Sequence, residues 1–299
     1  MSPTPQPGIF AVGTRSHHHL QFDVNEGADL GELLGALRAI REQATTVGGV
    51  NVVIGLGHDL CAQLAPDALP ADVAAFETIH GADSVAMPGD QHDLWIWLHS
   101  FGPDSVFDLA RRADATLGGL VSVVREHPSF TYMASQDLTG FEDGTENPPL
   151  DEAVPLVQVP EGSPGAGSSV VLLQQWVHDL EAFDALDDDT KDQVIGRNLH
   201  TGAELDEAVR SPRAHISRVV LEDDAGRELE VFRRSSAYGG VIRHGLVFVA
   251  FSPDVARLHT MLQRMVGNDG PRDHLTDISR CTASAWYVAP PVEAFAPPG

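Results

Sequence analysis

One order of elements occurs twice along this chain, and it limits the fold more than any other feature. In the first half, HHLQFDV (18–24) alternates apolar and polar residues as a half-buried strand does. Asp29 can cap a helix on which Leu30, Leu33, Leu34, Leu37 and Ile40 share one face. VNVVIGLG (50–57) and DLWIWLH (93–99) read as strands, DSVFDLARRADATL (104–117) as a helix and GLVSVVREH (119–127) as a strand. The order β-α-β-β-α-β builds a ferredoxin-like unit.

The second half repeats it. SSVVLLQQWVHDL (168–180) begins as a strand and DDDTKDQVIGR (187–197) is helical. AHISRVVLED (214–223) and RELEVFRR (227–234) are expected to pair as strands around the turn Asp224-Ala225-Gly226. GLVFVAFS (245–252) is a further strand. Ser252 is expected to cap a helix with Pro253 in its first turn, running through Leu258, Met261, Leu262 and Met265. SAWYVAP (284–290) closes the sheet. The expected fold class is α+β, with two ferredoxin-like halves and antiparallel sheets. The halves are 1–146 and 147–299, and they meet in the Pro/Gly-rich stretch 147–167. A chain of 299 residues that is 42% hydrophobic can supply a core to both.

Charge and cysteine usage exclude several function classes. With 19 Lys+Arg against 43 Asp+Glu, the net charge is −24. Such a chain repels phosphate backbones and anionic lipid, so no nucleic acid and no membrane surface is expected as a partner. No segment reaches the ~20 uninterrupted apolar residues of a membrane span. The N-terminal sequence lacks the basic start and apolar run of a secretory signal. Cys61 and Cys281 stand far apart with no Cys-x-x-Cys pair, against a disulfide framework, a zinc ribbon or covalent haem attachment. A reducing cytoplasm is the expected location.

Fourteen histidines make ligand choice a matter of context. His17, His18 and His19 are consecutive, so on a strand they point to opposite faces and cannot all bind one ion. They read as a surface run. Most of the others lack zinc spacing and are expected to face solvent or to be satisfied locally. His215 opens HISRVVL and shares a face with Ser217, Val219 and Leu221, a core-facing pattern that suits a structural histidine or a ligand. Arg233 and Arg234 follow an apolar run, so one is expected to face inward and one outward. A buried arginine needs an anion or developing negative charge beside it, whereas surface arginines pair with nearby acids.

The stretch GFEDGTENP (140–148) crowds three carboxylates into a Gly/Pro turn that needs none of them. It resembles the Gly-x-x-Asp-Gly motif of the dye-decolorising peroxidases. QDLTGF (136–141), VIGR (194–197), a histidine at 215, VFRRSSAYG (231–239), HGLVFVAF (244–251) and a last strand ending in AP follow in that family's order. The resemblance is strongest from Ser135 onward and is closest to the cytoplasmic B-type branch.

The resemblance implies a dimeric α+β barrel-like arrangement whose C-terminal half binds most of one non-covalent haem b per chain. It implies a peroxidase that uses hydrogen peroxide to oxidise dyes, phenols or other small reductants by way of a high-valent iron–oxo state. A homo-oligomer is the expected assembly, and the short C-terminal sequence is not expected to dock into a shell. His215 matches the iron's axial ligand. Asp143 matches the distal acid–base group and Arg233 the distal arginine, with Ser235 beside them. Asp273 matches the acid behind the proximal imidazole, with Asp277 near enough to compete. Arg197 matches a haem-propionate contact. Gly140 and Gly144 are expected to let the backbone approach the haem edge, and Glu142 and Glu146 to be edge or structural residues. Ala237 stands where several relatives carry proline. Related two-half haem folds decarboxylate or dismutate, and a haem carrier is a further alternative. The pair Asp143 and Arg233 favours the peroxidase.

Overall fold

A computed structural model describes residues 3–46, 49–144 and 147–297 of the chain. The expected turn residue Glu146 lies outside them.

Eight strands close into one antiparallel barrel. They are β1 Ser16–Val24, β2 Asn51–Leu56, β3 Leu94–Ser100 and β4 Val121–Phe130. The second half contributes β5 Ser169–His178, β6 Ser236–Gly239, β7 His244–Ser252 and β8 Ser279–Ala289. Their order is β5-β8-β2-β3-β1-β4-β6-β7, and β7 pairs with β5 to complete the circle. Within each half the order is second-third-first-fourth, the ferredoxin-like arrangement. The seams between halves are short. Val288 opposite Leu56 joins β8 to β2, and Ser129–Tyr238 with Phe130–Ala237 joins β4 to β6.

Two longer helices, α1 Leu30–Thr46 and α2 Pro103–Leu117, cover the first half of the barrel, and α3 Asp188–Ile195, α4 His215–Val219 and α5 Val255–Met265 border the site. Asp29 caps α1 as expected, its Oδ1 accepting from the N–H groups of Gly31 at 2.7 Å and Glu32 at 3.0 Å. Leu33, Leu37 and Ile40 of α1 join Leu20 and Phe22 of β1 in the outer core. Burial of each such side chain is worth roughly 1.5–3 kcal/mol.

Four expectations need correction. First, His17, His18 and His19 are not a surface run: they are 5%, 4% and 1% exposed. β1 lies between β3 and β4 in a closed barrel, so one face turns to the interior and the other is covered by helices α1 and α2. His17 and His19 face the barrel interior, where both stack on Trp97 with centroids 5.8 and 5.7 Å away. His99 stacks on the same ring at 4.1 Å. Burial, and then the charge of Arg234, lower His17 to about 3 and His99 to about 2, so both rings are neutral.

Second, 214–223 is not a strand. α4 takes its first half, because Ile216 and Val219 lie three apart and both bury. Five residues are too few to separate a period of two from one of 3.6. The turn at 224–226 does form, with Gly226 N–H donating to Asp223 O at 2.9 Å, but the pairing beside it shrinks to one bridge, Glu222 with Glu228. Only Phe232–Arg233 of 227–234 is strand.

Third, α5 is capped by Asp254, whose Oδ1 accepts from Arg257 N–H at 2.8 Å, and not by Ser252. Fourth, neither arginine of the pair 233–234 faces outward: Arg233 lines a cleft outside the barrel, and Arg234 is buried. It enters the barrel, donates to the carbonyls of Ile9 and of Ala11 (2.9 Å), and lies 5.0 Å over Trp97.

Candidate active site

The side chains of β5 alternate between two compartments. Val171 and Leu173 fill the barrel, while Leu172, Gln174, Trp176 and His178 point out of it. The outward set floors a cleft. Leu246 and Phe248 of β7 extend the floor, and Leu258, Met261, Leu262 and Met265 of α5 form an apolar wall. Mostly apolar walls with a few convergent polar groups are what a large, flat ligand requires.

One polar group stands on α4. The turn before the helix is fixed by Ala214 N–H donating to Ser211 O at 2.9 Å, and His215 begins the helix facing the cleft. His215 Nδ1 donates to Asp273 Oδ2 at 2.8 Å. Asp273 is wholly buried, and its Oδ1 accepts from Leu275 N–H at 2.8 Å. A carboxylate fixed in this way selects the Nδ1–H tautomer and leaves the Nε2 lone pair for the cleft. Asp277 is occupied elsewhere, by Arg213 at 2.8 Å, Arg272 at 2.5 Å and His274 at 3.1 Å. Of the two acids left open by the sequence, Asp273 is therefore the one on the imidazole.

The other polar group arrives on a hairpin between the two halves. Gln136 bridges Glu142, Asp137 N–H donates to Phe141 O at 2.8 Å, and Asp143 N–H donates to Ser135 O at 2.9 Å. Gly140 and Gly144 have φ of +92° and +79°, so their backbone conformation, more than close approach, demands glycine. Asp143 ends the hairpin at the mouth of the cleft. Burial raises its carboxyl above the usual carboxylate range; Arg233 opposes that rise and Asp137 adds to it.

Arg233 lies beside β7, opposite Ala250, and lines the same cleft. Its Nε is buried with no hydrogen-bond partner, and so is Ser235 Oγ. Buried polar atoms left in this way are uncommon and call for an acceptor or donor. Arg197 is set apart in an adjoining recess that Asp143 and Arg233 also line. There it donates to Glu204 Oε1 at 2.7 Å and Gly202 O at 3.1 Å.

The structure thus brings Asp143, Arg233 and His215 around one cleft, with Asp273 behind His215, while Gly144 and Ser235 line one adjoining recess and Arg197 another, both shared with Asp143 and Arg233. Sequence reasoning missed Asn147. Its Oδ1 accepts from Arg233 N–H at 2.8 Å and its Nδ2 donates to Arg233 O at 2.8 Å, as a neighbouring strand would. A Cβ added to Gly144 would sit 3.0 Å from that same Nδ2. One turn therefore presents Asp143 and also grips the backbone of Arg233. Asn147 stands within the conspicuous nine residues, but nothing in its spacing points to a partner 86 residues away.

Comparison with known proteins shows which family shares this sequence and fold. The family model described as Dyp-type peroxidase, C-terminal, matches residues 134–294, and the N-terminal model of the same family matches 6–131. A dye-decolorizing peroxidase of Mycolicibacterium paratuberculosis is 32% identical, covering 97% of this chain and 84% of its own. The encapsulated DyP-type peroxidase of Mycobacterium smegmatis superposes with a TM-score of 0.92 at 27% identity, covering 100% of this chain and 99% of its own. A variant of DypB from Rhodococcus jostii RHA1, solved in complex with haem, superposes at 0.87 with 26% identity, covering 96% and 97%. With both family models matched in order across nearly the whole chain, the protein belongs to the Dyp-type peroxidase family and is a haem-dependent, dye-decolorising peroxidase.

Proposed function

We propose that one non-covalent haem b occupies the cleft between His215 and the pair Asp143–Arg233, and that these residues carry the peroxidase reaction. One observation carries the reading. An imidazole backed by a buried carboxylate and a carboxylate–guanidinium pair face a single apolar space, and the guanidinium keeps a buried, unpaired Nε. The donor set suits the group: a neutral imidazole Nε2 for iron and apolar walls for a macrocycle. His215 would ligate the iron and Asp273 would orient the ring. Arg197 would exchange its contact with Glu204 for a propionate. Gly144 and Ser235 would border the distal side.

When bound, the haem supplies the iron that coordinates peroxide and the electrons that cleave its O–O bond. The carboxylate of Asp143 accepts the proton of one peroxide oxygen and returns it to the departing oxygen. The Arg233 guanidinium offers fixed positive charge where the anion develops. Asn147 holds that charge in place through the backbone. The donors are dyes, phenols or other small reductants.

In the same reading the functional halves are 1–146, which ends in the Asp143 turn, and 147–299, which holds the haem. Self-association is supported by Val241 and Ile242, which are 97% and 100% exposed at the tip between β6 and β7. A cytoplasmic location is supported by two buried free thiols, Cys61 and Cys281. Among the described residues no helix is long and apolar enough to cross a membrane.

The test is His215→Ala in protein expressed with supplemented haem. Loss of most bound haem, or loss of the histidine-ligated absorption spectrum, is expected. A native spectrum in this variant, with loss in a variant of another histidine, would reject His215 as the ligand.

A further inference from the structure

Four polar side chains that line the cleft, Asp137, Thr139, His178 and Ser279, take no part in the reaction described above. His178 is 7% exposed and lies at the end of β5. Its Nε2 meets Asp137 Oδ2 at 3.1 Å and its Nδ1 meets Ser279 Oγ at 2.7 Å. With Asp137 ionised, the arrangement fixes one tautomer: Nε2–H donates to the carboxylate and the Ser279 hydroxyl donates to Nδ1. Asp137 Oδ1 accepts from Thr139 N–H at 2.8 Å and Thr139 Oγ1 at 2.6 Å. Its carboxylate is thus held from both sides. These bonds to His178 and Thr139 hold Asp137 below the usual carboxylate range despite its burial.

Asp137 and Asp143 belong to the same hairpin. Asp137 stands at its turn, where Gly140 N–H donates to Asp137 O at 2.9 Å, and Asp143 is at the base. The hairpin is short and makes few backbone bonds of its own, so its position over the cleft depends on side-chain anchors. His178 supplies an anchor from the rigid barrel.

We propose that Asp137 and His178 form a positioning pair for Asp143: His178 pins the hairpin to the barrel through Asp137, and Asp137 sets a second negative charge in the cleft that Asp143 lines. The proposal rests on the acid–base role given to Asp143 above. The charged and titratable groups that line the cleft and its recess with Asp143 include Arg233 from the strand beside β7, His215 from α4, His178 from β5, Arg197, Glu228, and Asp137 and Glu142 from its own hairpin. Among them Asp137 opposes ionisation of Asp143, whereas Arg233 favours it. Beyond the cleft, His178 and Ser279 also line a surface groove with Asp179, Glu181, Asp277 and Arg280.

The two functions separate by substitution. Asp137→Asn removes the charge and keeps an acceptor for His178 and Thr139. His178→Ala removes the pin, and His178→Gln restores a donor at a similar reach. Two measurements on the haem-free full-length protein read them: the titration of Asp143 by NMR of 13C-labelled aspartate, and amide hydrogen exchange across 135–144.

Asp137→Asn is expected to lower the pH at which Asp143 ionises while leaving exchange unchanged. His178→Ala is expected to speed exchange at Asp143 N–H about tenfold or more, the scale of one hydrogen bond to a charged group, and His178→Gln to return most of the protection. If His178→Ala does not fold, Ser279→Ala loosens the same pin and is expected to speed that exchange by a smaller factor. An unchanged Asp143 titration in Asp137→Asn, or unchanged exchange in His178→Ala and Ser279→Ala, would overturn the proposal. The acid limb of the peroxide reaction, measured in the haem-loaded variants, is a separate readout. If Asp143 titrates as expected but that limb does not follow it, the acid–base role of Asp143 fails and the positioning pair stands.

Discussion

Asp143 and Arg233 face the same space but contribute different things. A positioned acid–base group is worth ~10²–10⁴ in rate. A fixed electrostatic donor is worth ~10²–10³. The ranges overlap, so magnitude alone does not rank them. Replaceability does. Ordered water can relay a proton where a carboxylate is missing, but it cannot supply fixed positive charge. Arg233→Leu is therefore expected to slow the peroxide-induced change in the haem spectrum at every pH, with haem content normalised in a stopped-flow series. Asp143→Ala is expected to lose mainly the acid limb. The sign follows from the chemistry, since Asp143 must be ionised to accept a proton and the rate falls as pH drops through its pKa. Burial raises that pKa, so the limb lies above the ordinary carboxylate range. A wild-type rate in Arg233→Leu, with Asp143→Ala inactive throughout, would reverse the ranking.

Among the elements, the turn of 140–148 carries two tasks that its sequence shows unequally. Its acid is conspicuous, but its asparagine is not. Asn147 makes a two-point contact with the backbone of Arg233, at 2.8 Å each way. Losing it leaves one N–H and one C=O beside the cleft without their partner, a cost of about 1–3 kcal/mol for each group that stays buried. Asn147→Ala is expected to slow the peroxide step by roughly tenfold, with haem still bound, because Arg233 is then less well placed. Asn147→Asp keeps the acceptor for Arg233 N–H and loses the donor to Arg233 O, so it is expected to fall between wild type and alanine. Equal rates in all three proteins would show that the clamp does not govern Arg233. The histidines of β1 make the opposite case: HHH reads as polar, yet β1 runs between two neighbours and turns His17 and His19 onto Trp97.

Across the whole molecule, those buried histidines set how the protein responds to acid. Burial lowers His17 to about 3, His99 to about 2 and His127 to about 4 from an ordinary 6.5. The folded chain therefore refuses protons that the unfolded chain accepts. The stability they support is present above about pH 6.5 and is lost as pH falls below it, by about 1.4 kcal/mol per pH unit for each such ring. Urea unfolding at pH 7, 6 and 5 is expected to show a steep loss. His99→Gln is expected to reduce that slope by about one proton, whatever it does to stability at pH 7. An unchanged slope would mean that His99 titrates normally in the folded barrel. The two halves share the consequence, because the barrel interior is built by both and closed through the short β8–β2 and β4–β6 seams.

The sequence by itself determined the repeated strand–helix order, the placement of most elements and, through motif order, attention to Asp143, His215 and Arg233. Those features are local: alternation, helical spacing and motif order are all written along the chain. Tertiary structure decided which faces are buried. In a closed barrel both faces of a strand are covered, one by the interior and one by helices, so polarity no longer reports exposure, and His17–His19 and Arg234 were misread for that reason. It also decided that Asp273 and not Asp277 holds His215, since two nearby arginines claim Asp277 first. It turned 215–219 from an expected strand into a helix, because five residues fit either period until α5 packs against them. Asn147 meeting Arg233, and His178 meeting Asp137, lay beyond the sequence for the same reason: each contact is between residues far apart in the chain, and only the closed fold brings them together.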